Sequence, residues 1–204
     1  MIELFAANTP NGIKIPIALE ELEASYTLNI VDLANGEARS ESYRAINPNG
    51  KIPALRHRAT QQEEVVLFES GAILLYLADL HGRLIGSSAS ARASTLSWLF
   101  LQVSGLGPAM GAAAYYRRSQ ESGEYSRKRY ANEARRLLEL LNNRLKDAEW
   151  LNGEGYSVAD IANFTWARNP AYAGVSTADL PHLLDWVKRI DSRPATKRAL
   201  AAFD

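Results

Sequence analysis

The spacing of apolar residues divides the chain into a mixed first part and a helical second part. In the first 82 residues, short segments with the strand period of two alternate with segments of helical period. The predicted strands are 2–6, 26–33, 53–56 and 64–68, and the predicted helices are 13–23, 39–46 and a segment from about 69 that ends at Gly82. This order predicts an α/β layer that opens with a right-handed βαβ crossover and closes with a hairpin and a helix.

Beyond residue 90 the pattern contains only helical spacing. The predicted helices are 91–118, 125–146, 158–168, 180–190 and 195–202. We expect a kink in the first of them at 105–108, because Pro108 removes a helix donor. The sequence therefore predicts two domains, 1–82 and 88–204, joined by a short linker, and the second domain is all-helical.

The stretch Asn47–Leu55 combines two prolines and a glycine in a predicted turn. Pro48 holds the preceding residue in extended geometry, and Gly50 accepts the positive φ that other residues resist. Pro53 lies at the start of a strand, where it removes no ladder hydrogen bond. If the Ile52–Pro53 bond is cis, the backbone N–H and C=O of Ile52 face an open edge that can pair with an extended, peptide-like ligand. The alternative is an ordinary loop that enters a strand.

A second local signal, Ser157-Val158-Ala159-Asp160, is typical of a helix capping box. The hydroxyl at the N-cap and the carboxylate three residues later can each satisfy a backbone N–H of the other. We interpret this motif as structural.

Composition narrows the possible functions. The chain has 204 residues, of which 47% are hydrophobic, and its 23 basic and 23 acidic side chains balance. A balanced charge disfavours nucleic acid or an acidic membrane as a partner. No apolar run approaches the roughly 18 residues that span a bilayer, and the first residues lack the basic start of a signal peptide, so we expect a cytoplasmic protein.

The sequence contains no cysteine, which excludes disulfides, thiolate metal sites and a thiol nucleophile of its own. Any sulfur chemistry must therefore use a thiol that the protein binds. The three histidines, His57, His81 and His182, are scattered without metal-ligand spacing, and no metal site is predicted.

Three segments in this order resemble the cytosolic glutathione transferase superfamily: Asn47–Leu55, Phe68–Leu77 and Ser157–Asp160. The resemblance covers essentially the whole chain. It implies a thioredoxin-like N-terminal domain of order βαβαββα, an all-α C-terminal domain, glutathione as the bound thiol and a homodimer. Within the superfamily, Thr9-Pro10-Asn11-Gly12 is similar to the bacterial Nu-type branch and its disulfide-reducing relatives.

The resemblance also assigns roles to individual residues. Thr9 and Asn11 would stabilise the glutathione thiolate as the catalytic residues; the alternative is that they only build the turn. The implied glutathione-binding residues are Asn11, Lys51, Ile52, Pro53, Glu69, Ser70 and Arg129. Arg129 would reach across the dimer, and Lys51 or Asn49 would approach the glycyl end. Relatives carry a helpful glutamine near position 38, where this chain has Ala38, so that contact is left without an obvious replacement.

The expected activity is disulfide reduction by exchange through bound glutathione, conjugation of glutathione to electrophiles, or both. The alternative is a glutathione-binding or protein-interaction module that keeps the fold without turnover.

Overall fold

Two units make up the computed structural model, which describes residues 1–60, 62–119 and 123–204. The first unit contains residues 1–83 together with 193–204, and the second contains 84–192. The predicted domain ranges, 1–82 and 88–204, differ from this division because the last helix of the chain is grouped with the first unit. Its contacts with the first helix, given below, are the physical reason.

A four-stranded mixed sheet forms the centre of the first unit. The strands are β1 Ile2–Ala6, β2 Tyr26–Ile30, β3 Ala54–Arg58 and β4 Glu64–Phe68. Their spatial order is β2-β1-β3-β4, with β1 parallel to β2 and antiparallel to β3, and with β3 antiparallel to β4. The predicted α/β layer and its order of elements are confirmed.

The helices of this unit are α1 Lys14–Glu21, α2 Glu41–Arg44, α3 Ser70–His81 and α9 Pro194–Ala201. A 3-10 turn, Glu37–Arg39, precedes α2, and the Ser40 hydroxyl caps α2 by accepting the N–H of Tyr43. Strand β2 ends three residues before the predicted limit, because the Asp32 carboxylate accepts the Asn35 N–H and begins a turn.

Helix α9 returns from the far end of the sequence to pack on α1. Ala195, Thr196 and Ala199 are buried on its inner face. Arg193, which precedes α9, makes a bidentate ion pair with Glu21 at 2.6 and 2.7 Å. This packing joins residues 172 positions apart in the sequence.

The second unit is helical, as predicted. Its elements are α4 Ala89–Leu101, a π-helical segment Gln102–Leu106, α5 Gly107–Arg118, α6 Glu124–Lys146, α7 Val158–Ala167, a 3-10 turn Pro170–Ala173 and α8 Pro181–Asp191. The predicted kink at 105–108 is a π segment, in which Gly107 donates its N–H to the carbonyl of Gln102, five residues earlier. Because Pro108 has no N–H to offer, a local change of hydrogen-bond spacing accommodates it.

The predicted capping box forms at the start of α7. The Asp160 carboxylate, fully buried, accepts hydrogen bonds from the N–H groups of Leu151 and Ser157, from the Ser157 hydroxyl and from Trp186 Nε1. Burial raises the pKa of Asp160 to about 6, and these four donors oppose that rise. Asp160 therefore links α7, the segment before it and α8.

Across the three described ranges, every helix is either too short or too polar to cross a lipid bilayer.

Candidate functional site

The turn after β1 is held by Thr9, one of the two residues that the sequence singled out as catalytic. The Thr9 N–H donates to the Ala7 carbonyl at 2.7 Å, and the Thr9 hydroxyl oxygen accepts the Gly12 N–H at 3.1 Å. A hydroxyl that accepts one hydrogen bond still has its own O–H to donate. Thr9 and Asn11 are both partly exposed, so Thr9 builds the turn and keeps a donor available at its surface.

Gly12 is essential to this turn. A Cβ at position 12 would lie 2.0 Å from the Ala7 carbonyl oxygen, far inside van der Waals contact. The backbone passes so close to itself here that glycine alone fits without a shift.

The predicted turn at Asn47–Pro53 is clamped by two side chains. Asn47, which is buried, donates from Nδ2 to the Lys51 carbonyl at 2.5 Å, and Tyr43 Oη donates to the same carbonyl at 2.8 Å. Gly50 has a φ of 63°, as its position in the turn requires. The loop therefore presents Lys51 and the residues after it in a defined geometry.

The Ile52–Pro53 peptide bond is cis. Strand β3 begins pairing at Ala54, so Ile52 lies just outside the ladder. Within the described residues, neither the amide N–H nor the carbonyl of Ile52 takes part in a hydrogen bond. Its side chain packs against the buried cluster that contains Val31 and Tyr43. Ile52 thus has an anchored side chain and an available backbone edge.

The third segment is the entry into α3. Glu69 is exposed and has a φ of 72°, which is unusual for a residue with a side chain. Ser70 is the first residue of α3, and the first hydrogen bond of the helix is donated by Ile73 to the Glu69 carbonyl. The preceding N–H groups of the first turn are the donors that a helix N-terminus offers to an anion.

A residue that sequence reasoning missed lies beneath this entry. Lys14 is 1% exposed, and its Nζ donates to Ser70 Oγ at 3.0 Å. Burial lowers the pKa of Lys14 to about 7, while the Glu69 carboxylate acts in the opposite direction. The available signal was a single lysine within the apolar run Ile13–Leu19.

Sheet register brings the three segments to one edge. Phe5, Ala54 and Phe68 are aligned across β1, β3 and β4. The end of β1, the start of β3 and the end of β4 therefore lie side by side, and the segments that adjoin them carry Thr9 and Asn11, Lys51–Pro53, and Glu69–Ser70. An extended ligand at this edge would meet turn donors, a backbone edge and a helix N-terminus.

Two further positions lie elsewhere. Ala38 is buried in the cluster behind Ile52, so its methyl group supplies no polar contact. Arg129 lies in the second unit, on α6, where it is exposed. Arg129, Tyr130, Asn132, Glu133 and Arg136 line a cavity of about 300 Å³. Tyr116 stacks on Tyr130 in the same unit, with ring centroids 5.2 Å apart.

Comparison with known proteins agrees with this geometry. The glutathione S-transferase N-terminal domain matches residues 2–79, and the glutathione S-transferase C-terminal domain matches residues 108–194. The disulfide-bond oxidoreductase YfcG of Escherichia coli strain K12 is 44% identical over 203 residues, which cover 98% of this chain and 94% of YfcG.

Solved structures show the same similarity. A glutathione transferase from Pseudomonas putida, with one glutathione disulfide bound per subunit, has a TM-score of 0.92 and 34% identity, covering 98% of this chain and 90% of that one. A family member from Pseudomonas fluorescens Pf-5, with two glutathione molecules bound, has a TM-score of 0.90 and 35% identity, covering 98% and 92%. The resemblance predicted from the sequence is confirmed, and this protein belongs to the glutathione S-transferase family.

Proposed function

We propose that this protein is a glutathione-dependent disulfide-bond reductase. The observation that carries the proposal is the meeting of the Thr9–Gly12 turn, Ile52 and the Glu69–Ser70 helix entry at one edge of the sheet. That edge suits glutathione, whose peptide-like backbone can pair with Ile52 and whose γ-glutamyl carboxylate can accept hydrogen bonds at the start of α3. Two relatives support this reaction class. YfcG is named a disulfide-bond oxidoreductase, and the Pseudomonas putida transferase was solved with glutathione disulfide bound.

The reacting sulfur belongs to glutathione, because the chain has no cysteine. A free thiol with a pKa near 8.5 is only a few per cent ionised at neutral pH, and lowering that pKa by two units requires about 2.7 kcal/mol. Hydrogen bonds to an anion contribute about 1.5–3 kcal/mol each, so the Thr9 hydroxyl and the Asn11 amide suffice. Neither group needs to accept a proton from the thiol.

The exchange proceeds in two balanced steps. The glutathione thiolate attacks one sulfur of the substrate disulfide, a mixed disulfide forms, and the other sulfur leaves as a thiolate that takes a proton from water. A second glutathione thiolate then attacks the glutathione sulfur of the mixed disulfide. The products are glutathione disulfide and the second substrate thiol.

The test is the reduction of 2-hydroxyethyl disulfide by glutathione, coupled to glutathione reductase, for the wild type and Asn11→Ala. Loss of one hydrogen bond to the thiolate should lower the rate by about tenfold or more. Asn143→Ala, which removes an exposed amide on α6, serves as the matched control and should keep the wild-type rate.

A wild-type rate no higher than the uncatalysed background would contradict disulfide reduction. An assay with 1-chloro-2,4-dinitrobenzene would then distinguish conjugation to electrophiles from glutathione binding without turnover.

We further propose a homodimer in the cytoplasm, where glutathione keeps thiols reduced. The exposed Arg129 beside the cavity on α6 supports a role in contacting glutathione held by the partner subunit. Light scattering should give twice the chain mass of 22.5 kDa, and Arg129→Ala should raise the KM for glutathione.

A further inference from the structure

Lys14 is a buried cation that the proposed reaction has not yet used. It is the first residue of α1 and is 1% exposed, and the residues that share its face one turn later, Ile17 and Ala18, are apolar and fully buried. Burying an ammonium group is unfavourable unless other groups compensate for the lost water. A methionine would fill the same space without that penalty, so packing alone does not explain a lysine at this position.

The hydrogen bond from Lys14 determines how Ser70 can act. In its charged form Lys14 can only donate, so Ser70 Oγ is then the acceptor of the 3.0 Å bond from Lys14 Nζ. The proton of the Ser70 hydroxyl must then point away from Lys14. The bond therefore removes the orientations in which Ser70 donates towards Lys14, and it favours those in which the Ser70 proton is available as a donor at the N-terminus of α3.

We propose that Lys14 is a positioning residue for the carboxylate of the ligand. It orients the Ser70 hydroxyl as a donor, and it places a positive charge behind the first turn of α3, where the γ-glutamyl carboxylate would bind. The inference rests on the proposed function, because that function brings the carboxylate to Ser70.

The charged groups around α1 are consistent with this role. Helix α1 packs against α3 and α9. Besides Lys14, the charged or titratable groups on or directly beside these helices are Glu20, Glu21, Glu23, Glu69, Tyr76, Asp79, His81, Arg83, Arg193, Lys197 and Arg198. Arg193 and Arg198 are paired with Glu21 and Glu20 at the opposite end of α1 from Lys14. Glu69 is the group whose charge acts on Lys14.

Ligand binding should therefore be coupled to the protonation of Lys14. Its pKa of about 7 in the free protein should rise when a carboxylate binds nearby, because the anion favours the charged form. Affinity should be greatest where Lys14 is already charged, below pH 7, and should fall as the pH rises above that value.

The probe is S-methylglutathione, which keeps both carboxylates and has no ionisable thiol. Calorimetry should show that Lys14→Met weakens its Kd by about tenfold at pH 6. From pH 6 to pH 8 the wild-type Kd should rise several-fold, and the Lys14→Met value should stay constant. Lys188→Met, which removes an exposed lysine of the second unit, should behave as the wild type.

Two readouts separate positioning from a purely structural role. Lys14→Met should raise the KM for glutathione in the disulfide assay while leaving kcat within about twofold, since the thiolate donors are intact. The double variant Lys14→Met/Ser70→Ala should lose less affinity than the sum of the two single losses, because part of the effect of Lys14 passes through Ser70. Additive losses would contradict that route.

If Lys14→Met binds S-methylglutathione at pH 6 with the same Kd as the wild type, the inference is overturned and the proposed function still stands. Failure of the wild type to bind S-methylglutathione would overturn the glutathione assignment itself. If Lys14→Met does not fold, the wild type is titrated by calorimetry at pH 7.5 in phosphate and in Tris. Because these buffers differ in their enthalpy of ionisation, the difference between the two binding enthalpies gives the number of protons taken up on binding. A positive uptake supports the proposal, and zero uptake contradicts it.

Discussion

Gly12 controls the turn that carries Thr9 and Asn11. Because a Cβ at this position would lie 2.0 Å from the Ala7 carbonyl oxygen, Gly12→Ala must displace the backbone. We expect a loss of about 1–3 kcal/mol in the free energy of unfolding, together with a lower rate of disulfide reduction. Urea denaturation and the coupled assay measure the two effects.

The control is Gly155→Ala in the second unit, where a Cβ would meet nothing within 4 Å. This change should alter the free energy of unfolding by less than about 0.5 kcal/mol. Equal stabilities of the two variants would show that the turn can relax without cost.

At the same scale, sequence predicted the turn residues better than their buried supports. The turn could be predicted from Pro48, Gly50 and Pro53, because each of them acts on the backbone of its own position or of the residue beside it. The bond between Lys14 and Ser70 joins residues 56 positions apart. The apolar run around Lys14 is a weak sign of its burial, since lysines are almost never fully buried. The hydrogen bonds that the Tyr43 and Asn47 side chains donate to the Lys51 carbonyl could likewise be identified only from the structure.

At the scale of elements, the contact between α1 and α9 depends on two ion pairs of unequal burial. The side chains of Arg193 and Glu21 are 31% and 9% exposed, whereas those of Arg198 and Glu20 are 55% and 23% exposed. Arg193→Ala leaves a mostly buried carboxylate without its bidentate partner and should cost about 2–3 kcal/mol in the free energy of unfolding.

Arg198→Ala provides the matched comparison. An exposed pair is screened by water, so this variant should lose less than about 1 kcal/mol. Urea unfolding of both variants tests the ranking, and a larger loss for Arg198→Ala would contradict it.

Elements defined by periodicity were predicted well, because the spacing of apolar residues reflects which face is buried. The order of strands and helices in the first unit and the helical second unit follow from that spacing. The π segment at Gln102–Leu106 was predicted only as a kink, since Pro108 shows where a hydrogen bond is lost but not how the neighbouring bonds rearrange. The pairing of α9 with α1 has no local signal.

At the scale of the whole molecule, the order of the sequence and the order of packing differ. Residues 193–204 belong to the first unit, although the second unit lies between them and residue 83. A chain that ends at Ser192 should therefore lose hydrogen-exchange protection in α1 while α7 and α8 keep theirs. Loss of protection confined to the second unit would contradict the division into these units.

The return of α9 also has a consequence during synthesis on the ribosome. Domains generally fold as units as the chain emerges, at about 5–20 residues per second. Residues 84–192 must be made before α9 exists, so the apolar face of α1 that α9 covers stays open for roughly 5–20 s after the sheet has emerged. During that interval the nascent first unit exposes apolar surface of the kind that promotes aggregation, and it becomes complete only when the last helix arrives.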